Sequence, residues 1–291
     1  MSIYDIEHKS FFIKKKKRNF LVILFRFLIV LVFVLLWELF SRLGIINTFL
    51  FSSPSKVCLT TYDLFINGNL IRHILITLWE IFISFSITSF LSLVIACCLW
   101  KWKFLADILE PYLTVLNSLP KVALGPLIII WIGADTKSII FMAMMISIFV
   151  TILNIYNSFI NTEEEYIKLM KSFKCNDFII LNKVIIPSNI NNIVSSFKVN
   201  VSMTLIGVIM GELLVSKEGI GYLIMYGSQV FNINLVISGV IILGILSFII
   251  YMLVEKISFK FTNKKETILN WYNKSRQIKK ELSTFCLLKY D

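Results

Sequence analysis

Charge, glycine and histidine are all scarce in this sequence. Charged residues make up 16% of its 291 residues, glycine occurs 11 times, and His8 and His73 are its two histidines. The five cysteines show no metal-type spacing, and no Ser/His/Asp or Cys/His group is apparent. Metal sites and catalytic groups need several such side chains together. We therefore expect no enzyme, no metal site and no cofactor.

The motif that cradles nucleotide phosphates, G-x-x-x-x-G-K-[ST], is missing as well. The nearest fragment, residues 133–138, lacks the second glycine. The chain is therefore not expected to hydrolyse ATP itself.

Apolar residues are abundant, at 57% of the chain, and the mean hydropathy is +0.80. Soluble domains contain about 45–50% apolar residues, so lipid must be the main solvent. The net charge of +11 is concentrated in 14–18 and 256–280, beside apolar stretches. Basic blocks in such places anchor a chain against anionic lipid on the cytoplasmic side. We expect the partner to be the lipid bilayer and not nucleic acid.

Six stretches are apolar enough to cross a membrane, since a spanning helix needs about 20 residues. They are Phe20–Phe40, Ile81–Trp100, a longer stretch from Lys103 to Gly133, Ile139–Ile160, Ile193–Val215 and Leu235–Val254. Pro111, Pro120 and Pro126 lie in the third stretch, which predicts a broken or kinked helix. The predicted fold is an all-α, polytopic bundle of about six transmembrane helices.

The distribution of Lys and Arg predicts the direction of these spans. Segments 1–19, 101–103, 161–190 and 256–291 contain 21 such residues, whereas segments 41–80, 134–138 and 216–234 contain five. Basic residues favour the cytoplasmic side of a membrane. Both termini are therefore predicted to be cytoplasmic, and the protein is predicted to be a multi-pass protein of the cell membrane.

The 161–190 segment is the long internal loop on the predicted cytoplasmic side. Thr162 followed by Glu165 is a helix-start signal, and Tyr166, Leu169, Met170 and Phe173 recur at helical spacing. A polar break at 174–177 and a second apolar stretch, ending at Pro187, follow. The pattern predicts two short amphipathic helices joined by a turn. From the residues alone, a hairpin lying idle on the membrane surface remains equally open.

This segment resembles the loop of binding-protein-dependent ABC importer permeases, written EAA, three residues, G, nine residues, I-x-L-P. Lys168-Leu169-Met170 falls at EAA, Lys174 at the glycine, and Val184-Ile185-Ile186-Pro187 at I-x-L-P. Lys168 thus replaces the acid, and Leu169 and Met170 replace two small residues. Because Lys174 replaces the glycine of a left-handed turn, we expect Asn176 to adopt that conformation instead.

Two further segments are similar to permeases of the sulfonate, taurine and nitrate type. Residues 117–133 resemble the third-span signature, and residues 211–224 with 227–231 resemble the segment after the coupling loop. The resemblance covers roughly 75–254. It implies a type I ABC importer permease fold and a subunit that forms the solute pathway. It also implies three partners: a cytoplasmic ATP-binding subunit, an extracytoplasmic solute-binding protein, and a second permease copy, giving a homodimer. The solute would be a small anion or resemble a vitamin precursor.

The resemblance implies roles for particular residues and domains. The ATPase-coupling residues would be Glu165, Lys168, Leu169, Met170, Phe173, Lys174 and Pro187. Residues 1–70 would form a basic cytoplasmic N-terminus, an anchor and an outer loop; 71–260 the permease domain with coupling loop 161–190; and 261–291 a basic cytoplasmic tail.

Charged residues inside predicted spans are functional candidates. Lys121, beside Pro120, and Glu212 are possible pathway residues, although Glu212 lies near the outer end of its span and is expected to reach water. Lys198 lies near the cytoplasmic end of the fifth span and is expected to extend to the interface.

Two other functions are considered. A stand-alone secondary transporter driven by an ion gradient usually shows internal repeats and polar residues at the bilayer midplane. We find no convincing repeat and no midplane acid. A membrane scaffold without transport would have no use for a kinked third span.

Overall fold

The computed structural model describes residues 3–256 and 258, and no strand occurs among them. The predicted basic tail, 261–291, lies outside the described residues. The helices are α1 (Ile3–Arg42), α2 (Thr48–Phe51), α3 (Pro54–Ile66), α4 (Leu70–Lys101), α5 (Lys103–Ser118), α6 (Gly125–Ile132), α7 (Thr136–Ile160), α8 (Glu164–Ser172), α9 (Asp177–Ile180), α10 (Ile186–Ser188), α11 (Ile190–Val215), α12 (Ile220–Gln229) and α13 (Ile233–Lys256). A 3₁₀ turn, Lys121–Leu124, precedes α6, and a π-helical turn, Leu181–Ile185, joins α9 to α10.

Five helices of the described chain are long and apolar enough to span a membrane. They are the part of α1 from Phe20, α4, α7, α11 and α13. A sixth span arises if α5 and the Lys121–Ile132 stretch, which meet at 85°, are counted together. The predicted all-α bundle of about six spans is confirmed. The second span is longer than predicted, because α4 begins at Leu70 and not at Ile81.

The third span breaks at Pro120, as its prolines predict. Leu119 is extended, with φ −64° and ψ 143°, because the ring of a following proline disfavours helical backbone at the preceding residue. Pro111 lies inside α5 without ending it. Pro126 occupies the first turn of α6, where its missing N–H costs nothing.

The chain divides into two compact units, of which the first contains the residues up to Leu70 and Leu223–Val240. In this unit the hydroxyl of Ser52 donates to Asn234 Oδ1 at 2.6 Å, and Ser238 Oγ donates to the carbonyl of Val57 at 3.3 Å. Ser53 accepts a hydrogen bond from the Lys56 N–H and so caps α3. These bonds tie the α2–α3 region to the beginning of α13.

The second unit contains Ile71–Tyr222 and the residues from Ile241 onward. Helices α7 and α11 of this unit pack closely together. A Cβ atom added to Gly207 would lie 2.5 Å from the Cα of Ala143, and one added to Gly211 would lie 3.0 Å from the Cα of Ile139. Glycine at these positions lets the two backbones approach closely, as small residues do between membrane helices.

One hydrophobic core of this unit lies at the end where α11 begins, and separate clusters lie around Ile139 and Ile146. Its fully buried members come from α4, α5, α7, the 161–190 segment and α11, and include Leu99, Ala106, Ile155, Phe159, Ile180, Ile185 and Ile193. The 161–190 segment is therefore part of the core of the spans rather than a loop lying outside it.

Candidate functional site

The 161–190 segment forms two helical stretches joined by a turn. The first is α8, and the second runs continuously through α9, the π turn and α10. The predicted helical hairpin is confirmed.

The start of α8 differs from the prediction. The helix begins at Glu164 after Glu163, and no side chain caps it. Thr162 is buried instead, and its hydroxyl accepts a hydrogen bond of 2.7 Å from Asn189 Nδ2. The predicted cap is therefore wrong, because a residue at the far end of the segment has taken the threonine oxygen. The bond closes the base of the hairpin.

Lys174 itself makes the left-handed turn after α8, with φ at +56°. Its N–H donates to the carbonyl of Lys171 at 2.9 Å, and the N–H of Cys175 donates to the carbonyl of Met170 at 3.1 Å. These two bonds make a Schellman motif, which places the left-handed residue one position after the C-cap. Asn176 is extended, with φ −69°, so its predicted role in the turn is wrong.

Helix α8 has two apolar faces with different surroundings. Ile167 and Met170 pack against the core of the spans. Tyr166, Leu169 and Phe173 point away from it and are 52%, 54% and 71% exposed. Met170 therefore does not share the exposed surface of Leu169 and Phe173. Helical spacing alone groups the three residues together and does not show that they lie on different faces.

Charged groups border the exposed face of α8. Lys168 Nζ lies 2.6 Å from Glu164 Oε2, and both side chains are exposed. The hydrogen bond from Lys168 lowers the pKa of the Glu164 carboxyl group below its usual value. Glu165 and Lys174 are also exposed.

The second half of the segment is anchored in the core. Ile180 and Ile185 are fully buried beside Phe159. Pro187 follows the π turn, whose wider hydrogen-bonding ring leaves more room for the proline ring than an α turn would.

Glu212, near the end of α11, is 1% exposed, so the prediction that it reaches water is wrong. It accepts hydrogen bonds from the hydroxyl of Thr77 and the N–H of Gly221, both at 2.6 Å. Gly219 lies against it with φ +112°, and a Cβ there would come within 2.4 Å of the carboxyl group. The backbone after α11 is thus folded tightly around this side chain, which leaves no space for a larger residue at position 219.

Glu80, on α4, is a buried acid that the sequence reasoning missed. It is 0% exposed, and the side chains of Glu212 and Thr136 are its polar neighbours. Within the described part of the chain, no hydrogen bond of good geometry reaches either carboxyl oxygen. The predicted second span begins at Ile81 and so leaves Glu80 outside, whereas α4 contains it. The signal was a helical run of polar residues, Thr77, Glu80, Ser84 and Thr88, all fully buried.

Lys121 lies at the bend of the third span. Its Nζ donates to the backbone carbonyl of Asn117 at 2.9 Å and to the Asn117 side-chain oxygen at 3.2 Å. It also lies 5.7 Å from the centre of the Phe149 ring. These contacts hold Lys121 against the bend, whereas Glu212 belongs to a separate polar cluster with Thr77. The structure does not bring the two candidate pathway residues together.

Residues 88–263 match the family described as binding-protein-dependent transport system inner membrane component. A probable ABC transporter permease protein of Haemophilus influenzae is 28% identical over 235 residues, covering 80% of this chain and 95% of the relative. A putative aliphatic sulfonates transport permease protein of Bacillus subtilis is 26% identical over 243 residues, covering 83% and 85%. An inward-facing structure of the MetNI methionine ABC transporter aligns with a TM-score of 0.59 at 16% identity, covering 66% of this chain and 95% of that one.

The structural alignment, at this low identity, bears on the fold, which is that of a type I ABC importer permease. The match of residues 88–263 extends over more than half of the sequence and includes the 161–190 segment. The chain therefore belongs to the inner membrane components of binding-protein-dependent transport systems, the permease subunits of ABC importers.

Proposed function

We propose that the chain forms the solute pathway of an ABC importer and receives the work of ATP hydrolysis from a separate cytoplasmic subunit through the 161–190 segment. The observation that carries this proposal is the two-sided packing of α8. Its exposed face presents Tyr166, Leu169 and Phe173, while its opposite face packs on the core of the spans.

The exposed apolar face supports the docking of a partner. Three large apolar side chains on one helical face, bordered by the charged residues Glu165 and Lys168, form an apolar patch with a polar rim. Contiguous patches of this kind mark interaction sites. An amphipathic helix that lays its apolar face into a groove is a recurrent mode of recognition.

The buried face supports the transmission of motion. Ile180 and Ile185 share one core with Leu99, Phe159 and Ile193, which lie on three spans. Close-packed cores do not deform continuously, so displacement of this segment would displace the ends of α4, α7 and α11 with it. Lys174 and Pro187 act in this proposal as the turn and the end of the segment.

The remaining partners and the solute are part of the same proposal. One chain supplies one coupling segment. Because two ATPase subunits need two coupling segments, a second copy of the chain completes the transporter. An extracytoplasmic binding protein delivers the solute. Similarity to a relative named for aliphatic sulfonates supports a small organic anion as the solute. The domain limits 1–70, 71–260 and 261–291 are retained in this scheme. Membership of the ABC permease family leaves the ion-driven secondary transporter without support.

Docking is tested by the double substitution Leu169→Asp and Phe173→Asp. Burying a Leu and a Phe stabilises a contact by about 1.5–3 kcal/mol each, so their loss should weaken ATPase binding by about a hundredfold or more. Co-purification with the co-expressed ATPase subunit and uptake into cells should both be lost, while membrane insertion is retained. Phe231→Asp is a matched control, since Phe231 is 74% exposed and lies outside the segment. Unchanged co-purification of the double variant would remove the docking role.

Orientation is tested by cysteine labelling in intact cells. One variant retains Cys58 alone, and another carries Ser172→Cys alone; both positions are exposed. A membrane-impermeant maleimide should label Cys58 directly, and position 172 after permeabilisation only. Labelling of position 172 in intact cells would place the segment outside and end the proposal.

A further inference from the structure

A cleft between α11 and α13 combines a cation, hydroxyl groups and apolar walls. Its volume is about 410 Å³, which lies in the lower part of the range of about 300–1,000 Å³ found for small-molecule sites. Lys198 and Ser202 of α11 line it together with Ser247 and Tyr251 of α13.

No acidic residue is among the described residues that line this cleft beside Lys198. None of the ion pairs or side-chain hydrogen bonds found among residues 3–256 includes its ammonium group. Cations within spans normally face the bundle interior or a water-filled cavity and pair there. An anion in the cleft would supply the missing charge.

The surface of α11 around Lys198 is also polar. Asn191, Ser195 and Ser202 are exposed and share one helical face with Lys198, at spacings of four, three and four residues. Lipid tails offer no hydrogen bonds to such a face. Ser195 and Ser202 already donate to the carbonyls of Asn191 and Lys198, at 2.9 Å and 3.4 Å. The Lys198 ammonium group, rather than these hydroxyls, is therefore the group that an anion would meet.

The opposite face of α11 is already occupied. Ser196, Asn200 and Thr204 are buried there, and the Asn200 amide donates to Ser89 Oγ on α4 at 2.8 Å. Polar residues that join α11 to α4 thus lie on one face, whereas the Lys198 face borders the cleft beside α13. Packing against α4 explains the buried polar residues Ser196, Asn200 and Thr204. It does not explain the polar residues on the Lys198 face.

The walls beyond Lys198 are apolar. Leu205 and Phe248 continue the cleft along the two helices, and Val201 and Ile250 complete its sides. An inorganic anion would gain nothing from these side chains. A molecule with one anionic group and a short aliphatic body would contact both parts of the cleft.

We propose that this cleft is a solute-binding site of the translocation pathway, in which Lys198 binds the anionic group of a small aliphatic anion and Leu205 and Phe248 contact its apolar body. The inference rests on the proposed function, since it assigns a substrate class to the pathway of an importer. Its position in the sequence suggests that Lys198 is an interfacial anchor. In this proposal it is a binding residue instead.

The test uses the full chain with its co-expressed ATPase subunit in nanodiscs, carrying Ser202→Cys as the only reactive cysteine. Modification rates are measured with two small thiol reagents, the anionic 2-sulfonatoethyl and the cationic 2-(trimethylammonio)ethyl methanethiosulfonate. The anionic reagent should react faster. Lys198→Gln should lower the anionic-to-cationic rate ratio about tenfold, the effect of removing a unit charge one helical turn away. Lys198→Arg should preserve the ratio, and Lys137→Gln, a charge change outside the cleft, should leave it unchanged.

A second arm measures protection of Ser202→Cys from N-ethylmaleimide. Millimolar butanesulfonate should slow the reaction at least fivefold with Lys198 or Lys198→Arg, and not with Lys198→Gln. Nanodiscs with and without phosphatidylglycerol separate a free solute from a lipid headgroup. Protection by phosphatidylglycerol in place of butanesulfonate would overturn the assignment.

Ser247→Cys, on the opposite wall, repeats both arms in case Ser202→Cys fails to assemble. Lack of reaction at both positions would also overturn the inference, as would an anionic-to-cationic rate ratio that Lys198→Gln leaves unchanged. ATPase co-purification is recorded in the same samples. A negative cleft result with an intact ATPase complex would refute the cleft alone. Retention of the complex by the Leu169→Asp and Phe173→Asp double variant would refute the proposed coupling instead.

Discussion

The left-handed turn at Lys174 should be strained, and its replacement by glycine should stabilise the end of α8. A residue with a Cβ atom pays about 1–2 kcal/mol in the left-handed region, and Lys174 lies there with φ +56°. Glycine avoids this cost but loses about 0.5–1 kcal/mol through the greater freedom of its unfolded backbone. Lys174→Gly should therefore stabilise the closed turn by about 0.5–1 kcal/mol. This corresponds to a population of the open turn that is about two- to fivefold smaller.

Hydrogen exchange of the Cys175 amide measures this population directly. The amide donates to the carbonyl of Met170 across the turn, so it exchanges when the turn opens. In Lys174→Gly its exchange should slow by about two- to fivefold. Lys171→Gly is the matched control. It also removes an exposed lysine, but from a helical position where glycine costs about 1 kcal/mol, and it should speed exchange.

The two glycine variants separate backbone conformation from charge. If Lys174→Gly and Lys171→Gly both speed exchange, the left-handed turn is not strained and the argument from φ fails. Lys174→Ala provides a further check, because it removes the charge and keeps the Cβ atom. Its exchange rate should remain close to that of the natural chain.

Two further contrasts use thermal unfolding of the purified protein in detergent. Glu212→Gln should destabilise the protein by about 1–3 kcal/mol, because an amide cannot accept both of the carboxylate's hydrogen bonds without leaving a donor unpaired. Glu80→Gln should be neutral or stabilising, since it removes a buried acid beside Glu212 whose oxygens receive no hydrogen bond of good geometry from the described residues. Equal losses of stability would contradict this. Gly207→Ala should lower the free energy of unfolding by about 1–3 kcal/mol, because the added methyl group overpacks against Ala143. Gly244→Ala should be neutral or slightly stabilising, because nothing lies within 4 Å of the added atom. A reversed order of the two stabilities would refute the close-packing argument.

The polar cluster around Glu212 links parts of the second unit that are far apart in sequence. The Thr77 hydroxyl donates to Glu212, and it also accepts from the N–H of Ile220 at 3.0 Å. His73, one turn before Thr77, accepts from the N–H of Gly219 at 2.9 Å. Through these bonds α4 holds the backbone that follows α11, which explains why the segment after α11 needs glycine at 219 and 221.

The spans and the break at Pro120 could be predicted because each depends on neighbouring residues alone. Transfer of an apolar stretch into lipid is favourable whatever the rest of the chain does. A proline likewise acts on the residue before it, and Leu119 is extended as expected. The hairpin of the 161–190 segment follows from local periodicity in the same way.

The errors concern residues whose partners are remote in the chain. Thr162 looked like a cap for α8, but Asn189, 27 residues later, takes its hydroxyl oxygen. Glu212 looked close to water, but Thr77 lies 135 residues away in sequence and 2.6 Å away in space. Local patterns report the hydrogen bonds that a side chain can make, and tertiary packing selects among them.

The amino-acid sequence by itself determined that this chain spans the membrane about six times, that its third span is broken, and that an amphipathic hairpin lies between the fourth and fifth spans. These properties follow from transfer free energies and backbone preferences, which act over one or two helical turns. Only the tertiary structure decided which face of α8 is buried, that Lys174 takes the left-handed turn, and that Glu80 and Glu212 lie side by side. Those outcomes depend on helix contacts between residues far apart in the chain, and helical periodicity carries no information about which helix a given face will meet.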